Sequence, residues 1–145
     1  MHSDSTQHRP PSSTDALRRL IGLRWLSIAT MLGVLLTVPP LLDIPLPHRA
    51  LLPVAAALLV VNGLTRLRLS HVDDVSAAEL FIQLFIDLAA WSAFLYFTGG
   101  ATNPLISLLL PLVAIGAATL TAAWAWTLAV LAVAAYSVLW DFNEQ

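Results

Sequence analysis

The chain has 145 residues, of which 58% are hydrophobic and 11% charged, and its formal net charge at pH 7 is −2. A composition this apolar excludes an ordinary soluble domain. The sequence contains no cysteine, which excludes disulfides, thiolate metal ligands and a thiol redox switch within this segment.

The clearest indication of fold is an uncharged run from Leu88 to Trp140. As one helix its 53 residues would be roughly 80 Å long, whereas the apolar core of a bilayer is about 30 Å thick. The run must therefore fold back on itself, and its sequence, rich in Leu and Ala, lacks the alternation of barrel strands. We predict an all-α fold, a polytopic transmembrane bundle of about five helices.

The first helix follows a polar arm. Residues 1–14 have no apolar periodicity and predict a disordered arm, and residues 15–145 should form the transmembrane domain. Arg24 lies near the start of the first helix, where its guanidinium can snorkel to the membrane interface, and Pro39-Pro40 should end the helix. The five predicted helices cover residues 17–38, 50–67, 77–98, 104–121 and 123–140.

Turn and capping signals separate the later helices. Ser76-x-x-Glu79 fits a capping box that opens the third helix. Strong turn chemistry in the segment Gly99–Pro104 separates the third helix from the fourth. The last reversal can lie only within residues 119–123, although that segment contains neither glycine nor proline.

Orientation follows from the arginines, because the chain has no lysine. Four arginines precede or open the first helix, two lie in the second connection and one lies in the first. The positive-inside rule therefore predicts a cytoplasmic N-terminus and places the glycine-rich turn outside.

Polar and aromatic residues form one stripe on the third helix. A carboxylate at mid-membrane costs roughly 2.5–3.5 kcal/mol, so Asp87 must face protein or water. One interpretation is a proton site or a quinone-headgroup site, with Gln83 and Trp91 in support. The other is interhelical hydrogen bonding to residues such as Asn62, with Trp91 as packing. The stripe comprises Gln83, Asp87, Trp91, Phe94 and Thr98.

The glycine-rich turn also has two interpretations. Structurally, Gly99 or Gly100 suits the left-handed residue that ends a helix, Asn103 suits the N-cap of the next and Pro104 suits its first position. Functionally, unpaired N–H groups at the helix start and the Asn103 amide could donate to a carbonyl or an anion.

The segment Gly99-Gly100-Ala101-Thr102-Asn103-Pro104 resembles the outer turn, Gly-Gly-x-x-Asn-Pro-Phe, of the RegB/PrrB/ActS redox-sensing histidine kinases. That turn is associated with ubiquinone. The similarity covers about residues 17–140, and it includes Leu23-Arg24-Trp25, the stretch NGLTRLRL from Asn62 to Leu69, and Gln83 to Leu88.

The resemblance implies ubiquinone as cofactor, bound by Gly99, Gly100, Asn103 and Pro104. Leu105 stands where the family has Phe, which removes a ring that could stack on a quinone. The family also continues into a sixth helix, a phosphoacceptor-histidine domain and an ATP-binding domain. This sequence contains none of these, so we expect no autokinase activity from the chain alone.

The sequence therefore predicts a membrane-embedded quinone sensor-input domain of a two-component histidine kinase, in the bacterial inner membrane. We expect lipid and quinone as partners and a homodimer as the assembly. A response regulator would be reached only through the missing kinase domain. We expect neither nucleic acid nor metal to bind. One alternative is a small transporter or channel subunit in which Asp87 relays protons. Another is a structural membrane-assembly protein.

Overall fold

The computed structural model describes residues 13–43, 46–72, 74–100 and 103–143; most of the predicted arm, residues 1–14, lies outside these ranges. Within them the chain is all-helical, and the prediction of about five helices is confirmed. The elements are α1 (Ser13–Leu42), α2 (His48–Leu69), α3 (Ala77–Thr98), a 3-10 helix (Pro104–Leu108), α4 (Leu109–Thr119) and α5 (Ala122–Asn143).

The surface of the bundle is suited to lipid. Helices α1, α2, α3 and α5 are each long and apolar enough to cross a membrane. Large apolar side chains such as Leu36 and Trp126 point outward, each 72% exposed. A protein in water rarely exposes apolar surface on this scale. The chain is accordingly a multi-pass membrane protein.

The start of α1 and its end both differ from prediction. The helix was expected over residues 17–38, but it begins at Ser13 and ends at Leu42, so Pro39 and Pro40 lie within its last turn. A proline removes its own amide donor and its ring crowds the carbonyl four residues earlier, and the helix accordingly ends at Leu42, within the same turn as the two prolines. The helix ends before Asp43, whose φ of 53° is left-handed.

The segment predicted to be the fourth crossing is shorter than the other apolar helices, and it is built differently from the single α-helix predicted over residues 104–121. It opens with five residues of 3-10 helix and continues as the 11-residue helix α4. The steeper rise of a 3-10 helix, about 2.0 Å per residue, brings the pair to roughly 27 Å, close to the thickness of a bilayer core. Leu120, in extended conformation, makes the predicted reversal without glycine or proline.

The remaining boundaries lie near the predicted ones. Helix α3 has its predicted bounds, and the Ser76 hydroxyl accepts a hydrogen bond from the Glu79 amide at 3.1 Å, as the capping box requires. Helices α2 and α5 each extend a few residues beyond their predicted ends.

Helix α3 is the centre of the bundle, because it packs against each of the other four α-helices. It contributes Leu84, Trp91 and Leu95 to the apolar core. Helices α4 and α5 approach closely at Gly116, where a β-carbon would lie 2.6 Å from a methyl carbon of Leu128. The polar residues of α3 are therefore held among helices on several sides.

Candidate functional site

A buried ion pair joins α1 to α3. The Arg24 guanidinium donates from Nε to Asp87 Oδ1 at 2.6 Å and from Nη2 to Asp87 Oδ2 at 2.8 Å. The Arg24 side chain is 1% exposed and that of Asp87 is 6% exposed. Two parallel charge-assisted bonds fix both distance and orientation, so this pair sets how α1 packs against α3.

Gln83 completes what we call the polar cluster, Arg24, Gln83 and Asp87. Arg24 Nη1 donates to Gln83 Oε1 at 3.1 Å, and Nη2 donates to the Gln83 carbonyl at 3.2 Å. These contacts and the ion pair occupy four of the five N–H groups that a guanidinium carries. The prediction that Arg24 snorkels to the interface is wrong, because a carboxylate at matching depth holds it inside the bundle.

The rest of the predicted stripe also faces inward. Trp91 is buried, and its indole Nε1 donates to the Ser27 hydroxyl on α1 at 3.3 Å. Its ring meets Phe94 edge to face, with 5.7 Å between centroids. The Thr98 hydroxyl donates to the Phe94 carbonyl at 2.8 Å. The stripe thus supplies side chains for packing and for hydrogen bonds between α1 and α3.

Asn62 is not the interhelical hydrogen-bond partner of Asp87 that the sequence suggested. Asp87 pairs with Arg24 instead, and Asn62 on α2 is 1% exposed. Neither its amide nitrogen nor its amide oxygen has a hydrogen-bond partner among the described residues. A buried amide without partners is destabilising, so Asn62 is an unexplained polar residue in the core.

The glycine-rich turn has the predicted backbone. Gly99 ends α3 with φ 127°, and Gly100 follows with φ 59°, both positive values that favour glycine. Asn103 caps the next helix, since its Oδ1 accepts from the Leu105 amide at 2.9 Å, and Pro104 follows at the helix start. Ala101 and Thr102 lie outside the described residues. The capping roles predicted for this turn are confirmed.

The Asn103 amide nitrogen is already engaged. It donates to the Thr98 carbonyl at 3.2 Å and to the Thr98 hydroxyl at 2.9 Å, which ties the start of the fourth crossing to the end of α3. An amide nitrogen carries only two hydrogens. A quinone carbonyl would have to compete with Thr98 for them, so the direct contact between Asn103 and a quinone stays a prediction.

A cavity lies beside the polar cluster, between α1, α3 and α4. Its volume is about 130 Å³. Its polar lining comes from Arg24, Ser27, Thr30, Asp87 and Trp91, and its apolar lining includes Leu23, Leu26, Pro111 and Ile115. Leu23 and Leu26 are 43% and 65% exposed, so the cavity opens sideways toward lipid. We refer to it as the α1–α3–α4 cavity.

A second ion pair lies at the end of the bundle where α2 ends and α3 begins. Arg68 Nη1 lies 2.7 Å from Glu79 Oε1, and the Arg68 and Glu79 side chains are 56% and 15% exposed. An ion pair whose cation is this accessible contributes less to stability than a fully buried pair. The Arg68–Glu79 pair therefore serves as a comparison for the buried pair Arg24–Asp87.

The sequence missed two members of the site. The sequence places Arg24 near the start of a helix predicted to begin at residue 17, but α1 begins at Ser13, so Arg24 lies deeper, where it meets Asp87. The available signal was an arginine within apolar sequence. No signal in the sequence pointed to Ser27, because the hydroxyl of a lone serine in an apolar helix usually bonds the backbone of its own helix. Compared with protein-family models, curated proteins and solved structures, the chain has no match in any of the three.

Proposed function

We propose that this chain is the membrane-embedded input domain of a quinone-responsive sensor histidine kinase. The observation that carries the proposal is a polar cluster at the centre of an apolar bundle, beside a cavity that opens toward lipid. A quinone is a lipid-soluble ring with carbonyl acceptors, and it needs a slot of this kind with one or two donors. The resemblance at Gly99–Pro104 supports the same ligand.

Signalling in this proposal is a shift between two helix packings. Quinone and quinol must bind the two packings with different affinity, since a ligand without differential affinity shifts nothing. Carbonyl acceptors become hydroxyl donors on reduction, so a site whose unoccupied polar groups are donors distinguishes the two forms. The ion pair between α1 and α3 lies next to the cavity, where a bound ring can alter the packing of these helices.

The binding proposal is tested with the purified chain in lipid nanodiscs and decylubiquinone as the probe. We expect saturable binding by isothermal titration calorimetry, and weaker binding of the reduced quinol. Empty nanodiscs measure simple partition into lipid and serve as the control. Uptake indistinguishable from that of empty nanodiscs would refute the proposed function.

The proposal also places the chain in the bacterial inner membrane with a cytoplasmic N-terminus. Ser70 and His48 are exposed at opposite ends of α2, and the chain has no cysteine of its own. We expect an impermeant thiol reagent on intact spheroplasts to label His48→Cys and not Ser70→Cys. Both should react after the membrane is permeabilised. The opposite pattern of labelling in intact spheroplasts would reverse the orientation.

A further inference from the structure

We infer that the α1–α3–α4 cavity binds a neutral, lipid-soluble ring bearing a carbonyl group, with the Ser27 hydroxyl as its donor. Leu23 and Leu26 line the cavity and are exposed, so the ligand enters from the bilayer on the side where these two residues of α1 lie. A quinone belongs to this class, so in its choice of ligand the inference rests on the proposed function. It differs from the prediction that the headgroup lies at Gly99–Pro104.

The size and walls of the cavity fit one ring. An apolar protein cavity of about 150 Å³ is known to hold benzene, and this one measures about 130 Å³ with an open side for substituents. Trp91 supplies an aromatic wall, and Pro111 and Ile115 of the fourth crossing supply apolar ones. Such walls favour a flat apolar body over a strongly hydrated one.

The available donors select an acceptor group. Ser27 Oγ accepts from Trp91 Nε1, and its own hydrogen has no acceptor among the described residues. The guanidinium of Arg24 retains one N–H beyond the four that Asp87 and Gln83 occupy. A ligand carbonyl can receive a hydrogen bond from either group without breaking a bond seen in the structure.

The electrostatics of the cavity favour a neutral ligand. The charge of Arg24 is already balanced by Asp87 in a bidentate pair. An anion would therefore meet no net positive charge, and it would bring an unpaired charge into a region of low dielectric. Neutral carbonyl compounds avoid that cost, and they partition into the bilayer from which the cavity opens.

The test compares Ser27→Ala with Ser27→Thr, which keeps the hydroxyl, and with Ser92→Ala as a matched control. The Ser92 hydroxyl bonds the Leu88 carbonyl of its own helix and does not line the cavity. We expect Ser27→Ala to bind decylubiquinone roughly 2- to 12-fold more weakly, the loss of one hydrogen bond. Ser27→Thr and Ser92→Ala should bind like the parent.

A second variant, Leu26→Trp, places a larger ring at the exposed mouth of the cavity and should weaken binding at least 10-fold. An azido-quinone provides an independent readout. We expect it to label residues of α1 and α4 that line the cavity, and to lose that labelling in Leu26→Trp. Decylbenzene, a ring without a carbonyl, should be insensitive to Ser27→Ala.

The outcomes separate this inference from the proposed function. Quinone binding that is unchanged in Ser27→Ala and Leu26→Trp would refute the cavity site and leave quinone sensing intact. Loss of binding in Asn103→Ser instead would place the headgroup at the glycine-rich turn. An alkylated acetophenone that binds in a Ser27-dependent manner, when decylubiquinone does not bind, would support the cavity and refute quinone sensing. Binding of neither probe would refute both.

Discussion

Replacing Arg24 with methionine should lower the free energy of unfolding by about 3–5 kcal/mol, because the change leaves the Asp87 carboxylate buried without its partner. Asp87→Leu should have a cost of the same order, since it strands the guanidinium. Helix unfolding in mixed micelles, titrated with SDS and followed by circular dichroism, measures both changes.

The double variant Arg24→Met with Asp87→Leu decides whether pairing is the cause. It removes both charges, so we expect it to be more stable than either single variant. The more accessible pair Arg68–Glu79 supplies the control, and Arg68→Met, which removes its 56% exposed member, should cost about 1 kcal/mol or less. Additive losses in the double variant would show that Arg24 and Asp87 stabilise the bundle independently of each other.

Replacing Asn62 with leucine should raise the free energy of unfolding by about 1–3 kcal/mol. The amide is 1% exposed and has no hydrogen-bond partner among the described residues, and leucine fills a similar volume without polar atoms. The same SDS titration measures the change.

Gln83→Leu is the control for Asn62→Leu, because it makes the same kind of exchange at an amide that does accept a hydrogen bond from Arg24. It should destabilise the bundle. If Asn62→Leu also destabilises the bundle, the expectation is wrong. The Asn62 amide then makes a stabilising hydrogen bond, for example to an internal water, and that bond explains its place in the core.

Composition and turn chemistry were enough to predict most of the fold. The apolar run after Asp87 required several crossings, and Ser76, Gly99 and Asn103 each took the capping role that their local sequence predicted. These signals are local, so a single sequence contains them. The 3-10 start of the fourth crossing was missed, because proline at a helix start is compatible with both helix types.

The site was only partly predictable, because its contacts join residues that lie far apart in the chain. Asp87 stood out as a carboxylate within an apolar helix, but its partner lies 63 residues earlier in the chain. Which polar groups meet depends on the rotation and depth of two packed helices, and a helical pattern constrains those only loosely. Asn62 was the partner suggested for Asp87 and Arg24 was predicted at the interface, but the geometry selects Arg24.

The separation of the ion pair along the chain has a consequence for synthesis. At about 5–20 residues per second, Asp87 leaves the ribosome roughly 3–13 s after Arg24, which precedes it by 63 residues. During that interval the guanidinium has no carboxylate from α3, and lone burial in lipid is costly. We therefore expect helix α1 to stay close to the headgroups or the insertion machinery until α3 arrives and supplies the carboxylate.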